Sequence, residues 1–147
     1  MELFRITKEE FSRTIFAPGF QGRWNRTGEE VIYASWSRSL ACLENMVHQN
    51  SGQTRRTFRT MVIYVPDQIS FKQVNLSDLP NDWNQHSFYK PCQEIGSPWF
   101  QKNESLLLRV PSAVIPDEQN FVINTLHPEF FQVKLIDVLP FYFDKRL

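Results

Sequence analysis

The chain has 147 residues, 41% of them hydrophobic, and a formal net charge of zero. That length and apolar share suit one folded domain, residues 1–147, with its own core, and they exclude a disordered polyelectrolyte. The charge balance also lacks the basic excess of a nucleic-acid binder.

Taken in order, Leu3–Thr7 reads as an opening strand carrying Arg5, and Lys8–Arg13 as a brief helix or turn. Thr14–Glu30 is a long glycine-containing loop, and loops of that length in compact domains are usually functional. It leads into the β-rich run Val31–Ala34. Ser37–Gln49 reads as a helix capped by Ser35 or Ser37, with Leu40, Leu43 and Val47 spaced along one apolar face. Asn50–Arg56 is polar and ends in Arg55-Arg56, two residues able to touch phosphate, although a solvated loop is the simpler reading at this net charge. Phe58–Val65 is a clear strand stopped by Pro66, Ile69–Val74 a weaker one, and Leu76–Trp83 a turn-rich connector. Gln93–Phe100 suggests a short helix that Pro98 interrupts or re-starts. Ser105–Val110 is a buried-looking strand broken by Pro111, and Ala113–Ile115 resumes an extended run after Ser112. Phe121–Asn124 and Phe131–Leu139 complete the strands.

Strands outnumber helices without regular alternation, and no strand–GxGxxG–helix unit is present. The pattern points to an α+β domain with a mainly antiparallel or mixed, bent sheet. Cys42 and Cys92 are too few and too far apart for a disulfide framework, so a reducing compartment or no redox role is expected. The three histidines share no metal-ligand spacing with each other or with the cysteines. The N-terminus lacks the basic start and apolar core of a signal peptide, and charges or prolines break every long apolar run. These features place the chain in the cytoplasm, with no membrane contact.

The stretch GRWNRTGEEVIYASWSRSLACLE, Gly22–Glu44, sets three useful side chains on three consecutive elements. Arg23, among loop glycines, has the fork geometry to grip a phosphate or carboxylate, or it is an ordinary surface arginine. Tyr33 is a stacking surface or a core aromatic. Glu44 stands at the edge of the helix's apolar face, where a desolvated carboxylate needs a partner unless it bends to solvent. Ser112 lies outside any GxSxG elbow, and its hydroxyl either points into a cleft or satisfies local backbone.

Beyond these local patterns, FQGRWNRTGEEVIYASWSRSLACLE, LSDLPNDW and SLLLRVPSAVIPDEQNFVINTLHPEF resemble, in order, the blocks of the RES domain, a family named for its Arg, Glu and Ser. The resemblance runs from FRI near the start to FDKRL at the end. It implies an ADP-ribosyltransferase-like fold and NAD⁺ as substrate, with no separate cofactor and no metal. It also implies a bacterial toxin paired with an Xre-like, helix-turn-helix antitoxin that plugs the active site, so that DNA is met only through the antitoxin. By position it assigns catalysis to Arg23, Glu44 and Ser112, and NAD⁺ binding to Arg5, Arg23, Tyr33, Ser112 and Asn124. Gln21 stands where a glycine is common, and Thr125 where a proline is common, which bears on loop shape and not on the named residues.

The residue chemistry suits that expectation. Arginines neutralise a pyrophosphate, a tyrosine stacks on nicotinamide, and a fixed carboxylate stabilises the positive charge that builds on ribose as the glycosidic bond breaks. The acceptor is open between water, inorganic phosphate and a protein side chain, the last making the chain a protein ADP-ribosyltransferase. A reading from another class is a non-catalytic binding module that uses the same aromatics and arginines.

Overall fold

The computed structural model describes residues 1–49 and 57–147, and the Asn50–Arg56 segment with Arg55-Arg56 lies outside the described residues. Seven strands form one mixed sheet: β1 (Glu2–Lys8), β2 (Val31–Ser35), β3 (Phe58–Tyr64), β4 (Phe71–Gln73), β5 (Leu107–Pro111), β6 (Gln119–Asn124) and β7 (Lys134–Phe141). Their spatial order is β4-β5-β6-β2-β1-β3-β7. Only β4 and β5 run parallel; every other neighbouring pair is antiparallel. Two helices, α1 (Arg38–His48) and α2 (Lys90–Gln101), complete the α+β architecture that the strand-rich pattern predicts.

Strand alternation divides the core. On one side of the sheet Leu3, Ile32, Ala34, Met61, Ile63, Leu107, Phe121 and Ile123 form a continuous apolar layer, covered by Ile15 and Ala17 of the long loop and by Phe130 and Val133. The other side holds both helices. There Trp99, Phe100 and Cys92 of α2 pack on Val31, Leu108, Val110 and Val122. Ala41 of α1 packs with Phe4, Ile6 and Phe58.

The sheet is nearly split in its middle. β1 pairs with β3 along seven residues, from Glu2↔Tyr64 to Lys8↔Phe58, yet meets β2 at the single register pair Phe4↔Ser35. The freed Ile6 carbonyl accepts instead from Asn45 Nδ2 of α1 at 2.9 Å.

Three expectations need correcting. The inward side of α1 is not the Leu40–Leu43–Val47 stripe: Leu40 is buried, but Leu43 and Val47 are 37% and 55% exposed. Its sheet-facing side is Ala41, Glu44 and Asn45: the Ile6 carbonyl left by the parted strands takes Asn45, and Asn120 at the start of β6 takes Glu44. Ser37 does cap the helix, accepting from Leu40 N–H at 3.1 Å. Helix α2 is longer than Gln93–Phe100 and runs through Pro98. Proline removes the bond to the carbonyl of residue 94, which lies on the exposed side, while the buried Trp99 and Phe100 hold the next turn. Finally, Ala113–Ile115 is a bend and not an extended run. Val114 and Ile115 N–H both donate to Ser112 Oγ, at 3.1 and 3.0 Å, which curls the backbone around that hydroxyl.

Gly96 lets α2 lie directly on the long loop. A Cβ there would stand 1.8 Å from the Trp24 carbonyl oxygen, a backbone atom with no flexible end to yield. Gly96→Ala is therefore expected to destabilise the fold by about 3 kcal/mol, at the upper end of overpacking costs. Urea denaturation of the variant against the parent chain checks this, and equal midpoints would contradict it.

Candidate functional site

Glu44 projects from the sheet-facing side of α1 into a chain of neutral donors. Ser112 Oγ donates to Glu44 Oε1 at 2.7 Å, and Asn120 Nδ2 donates to the same oxygen at 2.6 Å. Ser35 Oγ in turn donates to Asn120 Oδ1 at 2.7 Å. The network spans the end of β2, the start of β6, the bend after β5 and the middle of α1. Ser112 is fully buried, and the local reading of its hydroxyl holds: it satisfies two local N–H groups, and it also donates to a carboxylate. Both bonds fall on Oε1. Glu44 is half-buried, and Oε2 has no hydrogen-bond partner among the described residues.

Tyr33 shares the helix side of β2 with Ser35, about 7 Å along the strand at ~3.3 Å per residue. Its hydroxyl donates to Asn25 Oδ1 at 2.6 Å and accepts from Trp24 N–H at 3.0 Å. Gly22 makes room for it, since a Cβ at that position would lie 2.6 Å from the Tyr33 oxygen. Burial pushes the Tyr33 phenol well above its ordinary value, opposed by the Trp24 hydrogen bond and the Arg23 charge. The aromatic is thus a fixed wall, locked to the loop by its hydroxyl.

Arg23 is neither a free grip nor a plain surface arginine. Its Nη1 donates to the carbonyls of Trp83 at 2.7 Å and Phe88 at 3.2 Å, and Nη2 donates to that of Gln85 at 3.2 Å. The guanidinium also lies 5.0 Å from the Tyr89 ring centroid. It ties the 83–89 connector to the long loop while keeping its charge near Tyr33. Glu29 completes the tie. This buried carboxylate accepts from Ser97 Oγ and, at 3.3 Å, from Gln101 Nε2 of α2, and from the Arg26 N–H at 2.9 Å.

Two residues named from the sequence stand apart. Arg5 pairs across β1–β3 with Met61, so alternation sends it to the sheet side opposite Glu44. It is half-buried there, and desolvation lowers its pKa. Asn124 sits at the far end of β6, about 13 Å from Asn120 at ~3.3 Å per residue. It is fully buried, donating to Asn103 Oδ1 at 2.9 Å and accepting from Leu126 N–H at 3.0 Å, and so braces two turns. The asparagine that reaches Glu44 is Asn120, which the sequence reading missed. The available signal was its period-two position within QNFVIN, on the face shared with Val122 and Asn124.

Among the described residues no group of three His, Cys, Asp or Glu side chains can hold a metal ion, and both cysteines are free. No described helix is long and apolar enough to cross a membrane.

Comparison with known proteins finds relatives in sequence and in fold. The sequence pattern of the RES domain matches residues 2–144. A Prs ADP-ribosylating toxin of Sphingobium sp. (strain YBL2) is 37% identical over 128 residues, 86% of this chain and 80% of that one. A Toxin Res of Photorhabdus laumondii is 33% identical, covering 100% of this chain and 97% of its own. The fold is shared with a chain of the M. tuberculosis MbcT–MbcA toxin–antitoxin complex, at a TM-score of 0.78 and 18% identity over 96% of this chain and 84% of that one.

Two outcomes follow from these contacts. Lysine cannot reach three carbonyls with a planar fork, so Arg23→Lys is expected to speed hydrogen exchange in the 83–89 connector while leaving the β5–β6 amides unchanged. Mass-resolved exchange checks it, and an unchanged connector would remove Arg23 from that role. Burial also pushes the Cys92 thiol up to about 11. Since the unfolded chain loses the Cys92 and Tyr33 protons first, stability is unaffected by them below about pH 8.5 and falls as pH rises toward 11 and beyond, by at most ~1.4 kcal/mol per pH unit per group. Denaturant titrations from pH 8 to 11 check the sign, with a flatter slope expected for Cys92→Ala.

Proposed function

The chain belongs to the RES-domain family, and on that footing we propose that it is a toxin of a toxin–antitoxin pair that consumes NAD⁺ by breaking the nicotinamide–ribose bond. The observation that carries the reading is the Glu44 carboxylate, fixed through Oε1 by Ser112 and Asn120 with no partner on Oε2 among the described residues, on the same sheet side as Tyr33 and the Arg23 charge. When the C–N bond breaks, its electron pair leaves with neutral nicotinamide and positive charge develops on the ribose ring. A carboxylate already oriented by neutral donors stabilises that charge without reorganising. Tyr33, held by its hydroxyl, offers its ring to the nicotinamide, and Arg23 places a cation for the pyrophosphate. An oxygen nucleophile then adds at the same ribose carbon and releases its proton to solvent.

The acceptor that best fits a toxin depleting the cofactor is water or inorganic phosphate. The name of the Sphingobium relative favours a second reading, transfer of ADP-ribose to a protein side chain. The solved relative's partner supports an antitoxin as this chain's macromolecular partner, and we take an Xre-like, helix-turn-helix protein as its type, acting in the cytoplasm.

Purified protein incubated with NAD⁺, with and without phosphate, and product masses read over time, tests the proposal. Release of nicotinamide with free ADP-ribose or its phosphorylated form is expected, and label transferred to a protein instead would select the second reading. Glu44→Gln keeps both donors' partner oxygen but removes the charge, and is expected to lower the rate at least ~100-fold. A folded wild-type chain that releases no nicotinamide in any arm, or a Gln variant as fast as wild type, would overturn it.

A further inference from the structure

The sheet side opposite the helices carries a second cluster that the proposed site does not use. Arg109 pairs with Phe121, and Phe121 with Ala34, so all three face that side. Trp36, the residue after β2, is 54% exposed, whereas Trp24, Trp83 and Trp99 are buried. Its indole stacks on Phe121 with centroids 5.8 Å apart and planes inclined by 23°. The guanidinium carbon of Arg109 is 5.9 Å from each of the two centroids. Three centres at nearly equal separations form a triangle, which puts the cation at the flank of the stack and leaves the outer indole face to solvent.

Arg109 is also short of acceptors. Its Nε is buried without a hydrogen-bond partner, alone among side-chain N and O atoms of the described residues. No carboxylate of the described residues forms an ion pair with it. A buried N–H without an acceptor is unfavourable, and the Arg109 Nη groups, which have no acceptor among the described residues either, are the pair that can grip an oxyanion with parallel hydrogen bonds.

We propose that Trp36, Phe121 and Arg109 form a binding platform for a nucleoside phosphate, separate from the Glu44 site and on the other side of the sheet. The base stacks on the outer face of Trp36, extending the Trp36–Phe121 pair, and the phosphate oxygens accept from the Arg109 Nη groups. The pairing of an open aromatic face with one flanking cation selects for a ligand carrying both features. A bare anion gains only the arginine, and an uncharged base gains only the stack.

The test uses the full chain with Glu44→Gln, so that turnover does not consume ligand, and ADP as the probe. Trp36 is the tryptophan open to solvent, so its emission reports directly, with calorimetry alongside. Saturable ADP binding is expected, with adenosine and inorganic phosphate each at least ~10-fold weaker, and with R109Q and W36A each weakening ADP by at least ~10-fold while retaining the parent melting temperature. Absence of saturable binding would overturn the platform. So would ADP affinity unchanged in R109Q, phosphate binding as tight as ADP, or binding lost in Arg23→Lys but intact in R109Q, since the last would put the nucleotide on the other side. Because binding and not NAD⁺ consumption is read, its failure and that of the proposed reaction are told apart.

Discussion

The parting of β1 from β2 after one register pair is the constraint that sets how α1 meets the sheet. A fully paired junction would satisfy the Ile6 carbonyl within the sheet and leave α1 a flat apolar surface to cover. Instead the open seam presents the Ile6 carbonyl, which α1 meets with Asn45, and the neighbouring Glu44 reaches Asn120 and Ser112 on the β6 side of β2 while Leu43 and Val47 turn outward. An amphipathic helix is thereby used in reverse over part of its length. The burial that holds it comes from Leu40 and Ala41 alone among its fully buried residues. A carboxylate can be half-buried here only because the strand ends supply two neutral donors to receive it.

Much of this was legible in the chain. Short β-rich and apolar runs marked β1, β2, β3, β5 and β6 close to their observed limits, and the serines at 35 and 37 marked the start of α1, because local geometry and local chemistry decide these features. What was not legible depends on partners distant in sequence. The inward side of α1 follows from a strand separation that no helix period encodes. The bend after Ser112 depends on a hydroxyl serving two N–H groups and Glu44 together. Choosing between Asn120 and Asn124 requires knowing which end of β6 lies under α1, since both occupy the same face. Family resemblance named Glu44 and Ser112, which the fold brings into hydrogen-bond contact, and also Asn124, which braces two turns, and Arg5, which lies on the other side of the sheet.

Arg23 shows how a local reading and a family reading can each be incomplete. Its sequence setting suggested either a ligand grip or a surface charge. In the fold its fork is occupied by three backbone carbonyls, and its charge is delivered to the neighbourhood of Tyr33 from that fixed position. A guanidinium bonded to carbonyls keeps its full charge, because carbonyls are neutral acceptors. The loop is thus ordered and a cation positioned by the same contacts.

The same economy governs the carboxylate. Among the described residues neither Glu44 nor Arg23 belongs to an ion pair, although both lie on the same side of the sheet. An ion pair between them would stabilise each at the cost of the field each projects, and breaking it to admit a substrate would subtract from binding. Neutral hydrogen bonds fix geometry and leave the charge unspent: the donors on Oε1 orient Glu44, and the carbonyls around Arg23 orient the guanidinium. A dinucleotide carrying anionic phosphates at one end and a ribose that turns cationic at the other meets two opposite, preset charges. In the proposed reaction that separation, more than any single residue, is what would stabilise the breaking glycosidic bond.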